Sequence, residues 1–147
     1  MKKIVSSLLL ATLGLGAGWA NAQPATSTSI VAQFQGPGGH SSGNYGRTSA
    51  LHAAARAMME LQKAGLPAGS YSVSELTGGN SVNSIASDGK FVVKLNAASG
   101  VSAADLLAKV TAAAKTGAET ENAFRNVKPG DLTAGAPADI RYTVKQQ

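Results

Sequence analysis

The feature that most constrains this chain is the way its hydrophobic period switches between two and 3.6. Ser29 to Gln35 alternates, with Ile30, Ala32 and Phe34 on one side and Val31, Gln33 and Gln35 on the other. That is the pattern of a half-buried strand. From Ser49 to Ala64 the period becomes helical: Leu51, Ala54, Ala55, Met58 and Leu61 form a stripe, and His52, Arg56, Glu60 and Lys63 lie off it. Alternation returns at Ser70 to Leu76, with Tyr71 and Val73 on one side and serines on the other. It recurs at Lys90 to Leu95 with Phe91, Val93 and Leu95 inward. A second helical stripe, Leu106, Leu107, Val110, Ala113 and Ala114, runs from about Ala103 to Lys115. Ala138 to Lys145 alternates last, with Ile140, Tyr142 and Val144 inward.

The order is strand, helix, strand, strand, helix, strand. Strands with one apolar face and helices with one apolar stripe bury both by stacking. The expected fold is therefore α+β: a two-layer sandwich of a four-stranded antiparallel sheet with both helices on one face, in ferredoxin-like β-α-β-β-α-β order. The other sheet face stays comparatively polar. Large core-formers are few. From Gln23 onward, Val, Ile, Leu, Met, Phe and Tyr together number 28 in 125 residues, and much of the 44% apolar content is alanine. The core is thin, and one domain over residues 29–147 uses all of it.

Local signals sharpen the boundaries. Gly36 to Gly46 holds five glycines and a proline, which makes it a loop. Thr48 or Ser49 caps the first helix, and Gly65 with Pro67 ends it. Asp88-Gly89 is a two-residue hairpin signal. Ser81 to Ser87 reads as a short irregular extended piece. Ser102 with Asp105 forms a capping-box-like pair, and Lys115 is expected at the negative end of the second helix. Residues 117–137 carry no assignable pattern.

The first 22 residues stand apart. Met1-Lys2-Lys3 precedes an apolar run from Ile4 to Trp19, and Ala20-Asn21-Ala22 presents small residues where a signal peptidase cuts. The run is short for a membrane span. Residues 1–22 are thus expected to be a secretory signal cleaved after Ala22, with 23–28 a flexible lead-in and no membrane anchor afterwards. The expected location is periplasmic or secreted, which a chain with no cysteine tolerates without disulfides. Loss of Lys2 and Lys3 leaves 11 Lys+Arg against 8 Asp+Glu, a net +3. With no cluster of these cations in sequence, nucleic acid is not an expected partner.

Residues able to do chemistry are sparse. A catalytic zinc needs about three His or carboxylate ligands at one point, and the chain has only His40 and His52, with its acids scattered singly. No metal or other cofactor is expected in this chain. Ser41 and Ser42 adjoin His40, but no nucleophile elbow surrounds them, and adjacency alone does not make a triad. The loop Gly36-Pro37-Gly38-Gly39-His40-Ser41-Ser42-Gly43 lacks the Gly-Lys-Ser/Thr of a phosphate loop.

What remains distinctive is the succession of a strand, then Gly-Pro-Gly-Gly-His-Ser-Ser at 36–42, a helix, and then Gly78-Gly79-Asn80-Ser81-Val82-Asn83-Ser84-Ile85. In that order these segments resemble the dimerisation (lid) domain of the M20 family of metallopeptidases and amidohydrolases, over roughly Ile30 to Lys115. The resemblance implies a domain that pairs subunits. It also implies that His40 reaches into a partner's active site to contact substrate or its developing oxyanion, with Asn83 in a substrate-contacting segment. Gly36, Gly38, Gly39, Gly78 and Gly79 would serve loop geometry. Zinc or a similar ion would belong only to a partner's catalytic domain, and Ala86, where the family has proline, would loosen its segment.

The functional expectation is a stand-alone dimerisation domain without chemistry of its own. It would act as a homodimer or with an M20-like hydrolase. The alternative is a binding module that holds a carboxylate or peptide end at the His40 loop; a remnant of a once larger enzyme is the third reading.

Overall fold

The computed structural model describes residues 27–147. The expected signal, residues 1–22, and most of the lead-in, 23–28, lie outside the described residues. The main sheet contains β1 (Ser29–Gln35), β3 (Tyr71–Thr77), β5 (Asp88–Leu95) and β8 (Arg141–Gln146), and the helices are α1 (Ala50–Gln62) and α2 (Ala103–Phe124). The sheet order is β3-β5-β1-β8, with every neighbouring pair antiparallel. Both helices pack on one face. The expected two-layer α+β sandwich is the observed fold.

The core follows from the alternation. Ile30, Ala32 and Phe34 of β1 and Phe91 and Val93 of β5 are buried against Leu61 of α1 and Leu106 and Val110 of α2. Tyr142 and Val144 of β8 close its side, and the Phe34 and Phe91 rings stack at 6.1 Å. β3 is an edge strand with a register shift between Val73 and Glu75, a bulge that roughens an otherwise open edge.

Four local expectations are corrected. The second helix does not stop near Lys115; it runs through Gly117 to Phe124, so Lys115 sits in mid-helix and pairs with Glu119 at 3.8 Å. Gly117 looks like a stop but is a contact point. A Cβ there would lie 2.6 Å from Ala53 O and 2.7 Å from Ala57 Cβ, so the glycine lets the two helices approach.

That approach also turns α1. Its buried residues are Ala50, Ala53, Ala54, Ala57 and Leu61, rather than a stripe through Leu51, Ala55 and Met58. Small residues win the interface because the helix axes are close. Met58 packs at the margin of the core, while Met59 is 58% exposed.

Asp88-Gly89 is no hairpin turn. Both residues begin β5, with Gly89 opposite Phe34, and the position is glycine because a Cβ there would strike the Ala50 carbonyl. Finally, the stretch around Ala86 is not loose. Ala86 is buried and its carbonyl accepts the Ala50 N–H at 2.9 Å, so packing and a backbone bond hold it.

The unassigned stretch after Phe124 holds a two-residue hairpin, β6 (Leu132–Thr133) with β7 (Ala136–Pro137). Its turn puts Ala134 at φ 49° and Gly135 at φ 80°. A non-glycine residue in that region carries no turn signature in sequence.

Candidate functional site

The glycine loop after β1 folds back into a two-residue strand, β2 (Gly39–His40), which pairs with β4 (Ser84–Ile85). Gly39 lies opposite Ile85 and His40 opposite Ser84, and the Ser41 N–H donates to the Asn83 carbonyl at 3.0 Å. The tight return needs Gly38 at φ 63° and Gly39 at φ 128°, conformations that favour glycine. Gly36 lies against Ile140, Gly78 against Asp88, and Gly79 takes φ 78° at the other end of the arm. The two sequence segments singled out above thus form one small exposed arm.

The arm fixes the His40 ring from both sides. Nδ1 accepts from the Ser42 backbone N–H at 3.3 Å and lies 2.9 Å from Ser42 Oγ. The Asn83 carboxamide stands 3.1 Å from Nε2, and Ser81 Oγ bonds that same amide at 2.6 Å. With Nδ1 accepting, a neutral ring carries its proton on Nε2. In that tautomer the Asn83 amide turns its oxygen to Nε2 and its nitrogen to Ser81, a half-turn that keeps both contacts. Below the ring, the His40 carbonyl accepts from Asn44 N and Asn44 Nδ2 at 3.0 and 2.9 Å. Arg47 Nη1 donates to the Gly38 carbonyl at 3.1 Å. His40 is therefore exposed yet oriented, its ring held between Ser42 and Asn83. Beside the arm runs a groove of about 560 Å³ bordered by Tyr45, Arg47, Asp131 and Leu132.

His52 is not part of this arrangement. It lies on α1, 59% exposed, with Nδ1 3.9 Å from Glu121. Among the described residues, no group of three or more His, Asp or Glu could hold a metal ion. The side chains present do not fit a divalent ion of their own, and none enters the chemistry derived below.

The residue that sequence reasoning passes over is Glu121. Its carboxylate is fully buried and accepts from Ser49 N at 3.0 Å, Arg56 Nε at 3.1 Å and Arg125 Nε at 3.4 Å. It sits at the start of α1, where the helix dipole favours negative charge. Both guanidiniums lie about 5 Å from the Phe124 ring centre, at 5.0 and 4.9 Å. The Glu121/Arg125 spacing of four was a helical signal in the sequence, missed because the second helix was expected to stop near Lys115. Thr48 Oγ1 donates to the Ala138 carbonyl at 2.6 Å. These bonds pin the exit of the glycine loop to α2 and to the lead of β8, which keeps the arm in place.

A comparison with curated proteins finds no match. Among solved structures, an amidase of the hydantoinase/carbamoylase family from Burkholderia multivorans is 21% identical with a TM-score of 0.53, over 82% of this chain and 27% of its own. An aminobenzoyl-glutamate utilization protein from Klebsiella pneumoniae is also 21% identical, with a TM-score of 0.48 over 82% and 28%. This chain spans little more than a quarter of either. A family model described as the peptidase dimerisation domain matches residues 25–122, more than half the chain. That domain is the non-catalytic part of these hydrolases, and the match includes no catalytic domain. Fold, arm and family model agree, and the chain belongs to the M20 peptidase dimerisation domain family.

Proposed function

We propose that this chain is an exported dimerisation domain that self-associates or pairs with an M20-type hydrolase, and that it supplies His40 in trans. The observation that carries this reading is the oriented, exposed His40 ring on an arm with no catalytic group of its own to serve. Released from Asn83 by an incoming substrate, the Nε2–H would be free to meet the oxyanion of an acyl-transfer transition state, with the Asn83 amide beside it. Export and periplasmic location rest on the residue 1–22 pattern.

Self-association has a favoured edge. At the β8 edge, a two-fold antiparallel contact centred on Thr143 would set Arg141 opposite Lys145 of the second copy, like charges face to face. The β3 side offers Val73, Leu76 and, on α1, Met59, all partly or well exposed and free of positive charge. An isologous contact there joins an edge strand and a helix face.

Two measurements test the reading. Sedimentation should give twice the chain mass, and Met59→Lys should return it to one. An M20 hydrolase with its own dimerisation-domain histidine replaced should regain activity on mixing with this chain. His40→Ala should abolish the gain, a loss on the order of 10²–10³ in rate. Unchanged rescue by His40→Ala overturns the trans role; ligand binding by the isolated chain that depends on His40 favours the binding-module alternative.

A further inference from the structure

Among the described residues, the sheet face away from the helices carries an excess of unpaired cations. Register places the outward side chains in rows: Thr77, Lys90, Gln33 and Thr143 in one; Glu75, Val92, Val31 and Lys145 in the next; Ser72 and Lys94 beyond them; and Asp88, Gln35 and Arg141 at the other end. Four cations stand on this face against two carboxylates. Glu75 is spent on Lys90 at 2.9 Å, and Asp88 Oδ1 accepts the Gly79 N–H at 3.2 Å.

On the helix side the cations are mostly paired: Lys63 with Glu60, Lys115 with Glu119, and Arg56 and Arg125 with Glu121. Among the described residues six cations make no ion pair, namely Arg47, Lys94, Lys109, Lys128, Arg141 and Lys145, and three of the six are on this one face. The face also carries a shallow cleft of about 550 Å³, whose border includes Gln33, Gln35, Lys90, Arg141 and Lys145 together with one carboxylate, Asp88, which is bonded to the Gly79 N–H.

We infer that this face binds an anionic polysaccharide, one bearing carboxylate or sulfate groups along an extended chain. Arg141 and Lys145 are four residues apart on one strand, about 13 Å at the rise of a β-strand. Two acidic groups of one polymer can therefore be met at once by cations that no protein group neutralises. Between them Gln33, Gln35 and Thr143 present amides and a hydroxyl, donors and acceptors suited to sugar hydroxyls.

A nucleic acid is the poorer fit. Single strands are held by aromatic stacking, whereas the Phe34, Phe91 and Tyr142 rings turn inward and pack on one another or on the core. An acidic peptide carries the same charge, and poly-glutamate in the test below decides against it or for it. The cleft lies on the opposite side of the sheet from α1 and α2, and none of its residues belongs to the His40–Asn83 pair, so this inference stands apart from the trans-acting role.

The test measures binding of the chain to heparin by titration calorimetry at low salt, with neutral dextran, poly-glutamate and single-stranded DNA as comparison probes. Heparin should bind, more tightly than poly-glutamate or DNA, and dextran should not. Arg141→Gln with Lys145→Gln should weaken heparin by about tenfold or more with the melting temperature unchanged, since both side chains are exposed. Lys109→Gln with Lys128→Gln, unpaired cations away from this face, should leave the affinity as it is. No heparin binding, equal loss from the two double variants, or tighter binding of DNA or poly-glutamate would each overturn the proposal. A shared fall in melting temperature is separated by Arg141→Lys with Lys145→Arg, which keeps the charge and should keep the affinity.

Discussion

The seam between α1 and α2 and the β2–β4 arm are built on opposite principles. The seam is dry and close: Ala53 and Ala57 face Gly117, and one buried carboxylate, Glu121, satisfies a helix N-terminus and two guanidiniums. The arm is two residues of strand pairing, solvent-exposed, whose order comes from glycine dihedrals and side-chain hydrogen bonds around His40. Hydrogen bonds in water contribute little net stability, whereas buried charge and close packing leave no slack. The fold thus depends on the seam, and what the domain presents to a partner depends on the arm.

The sharpest way to break this contrast is Glu121→Ala. It strands Arg56 and Arg125 beside each other and frees the Ser49 N–H. Loss of one partner of a buried pair costs roughly 3–5 kcal/mol, and the low end applies because both arginines keep access to water. Chemical denaturation should show about 3 kcal/mol lost; a loss under 1 kcal/mol would mean the seam does not rest on this carboxylate.

Gly117→Ala comes next. Alanine is the better helix former by about 1 kcal/mol, yet its Cβ would sit 2.6 Å from backbone atoms of α1. Overpacking of this kind costs about 1–3 kcal/mol, so a net fall in melting temperature is expected. A rise would show the helices can part without penalty.

On the arm the expected stability effects are small. His40→Ala and Asn83→Ala should each change unfolding free energy by no more than about 0.5 kcal/mol, while removing the rescue described above. A larger drop would make His40 a structural residue.

The smallest effect belongs to Glu75. Its hydrogen bond to Lys90, then the Lys90 and Lys94 charges, hold its carboxyl below the usual carboxylate range. A depressed folded value means the contribution is present at neutral pH and lost as pH falls through that range. The pair is exposed and screened, so Glu75→Gln should leave the neutral-pH melting temperature unchanged and slightly flatten its acid decline.

Much of this was legible from residue pattern alone. Period-two runs at Ile30–Phe34 and Phe91–Leu95 name the core side of two strands, because a strand has only two faces. The Ser102–Asp105 cap marks the start of α2, and Ser102 Oγ accepts the Asp105 N–H at 3.0 Å. His40 and Asn83 were singled out as residues, but 43 positions of chain separate them. Their contact exists only because β2 and β4 pair.

The sequence by itself determined the element order, the layer arrangement and the segments that carry the arm, since these follow from local period, capping and turn chemistry. Tertiary structure alone decided the length of α2, the rotation of α1, the burial of Glu121 and the strand role of Gly89. Each of those turns on how near two backbones come. A glycine that ends a helix and a glycine that lets a second helix touch it read alike in sequence, and only the neighbour across the gap distinguishes them.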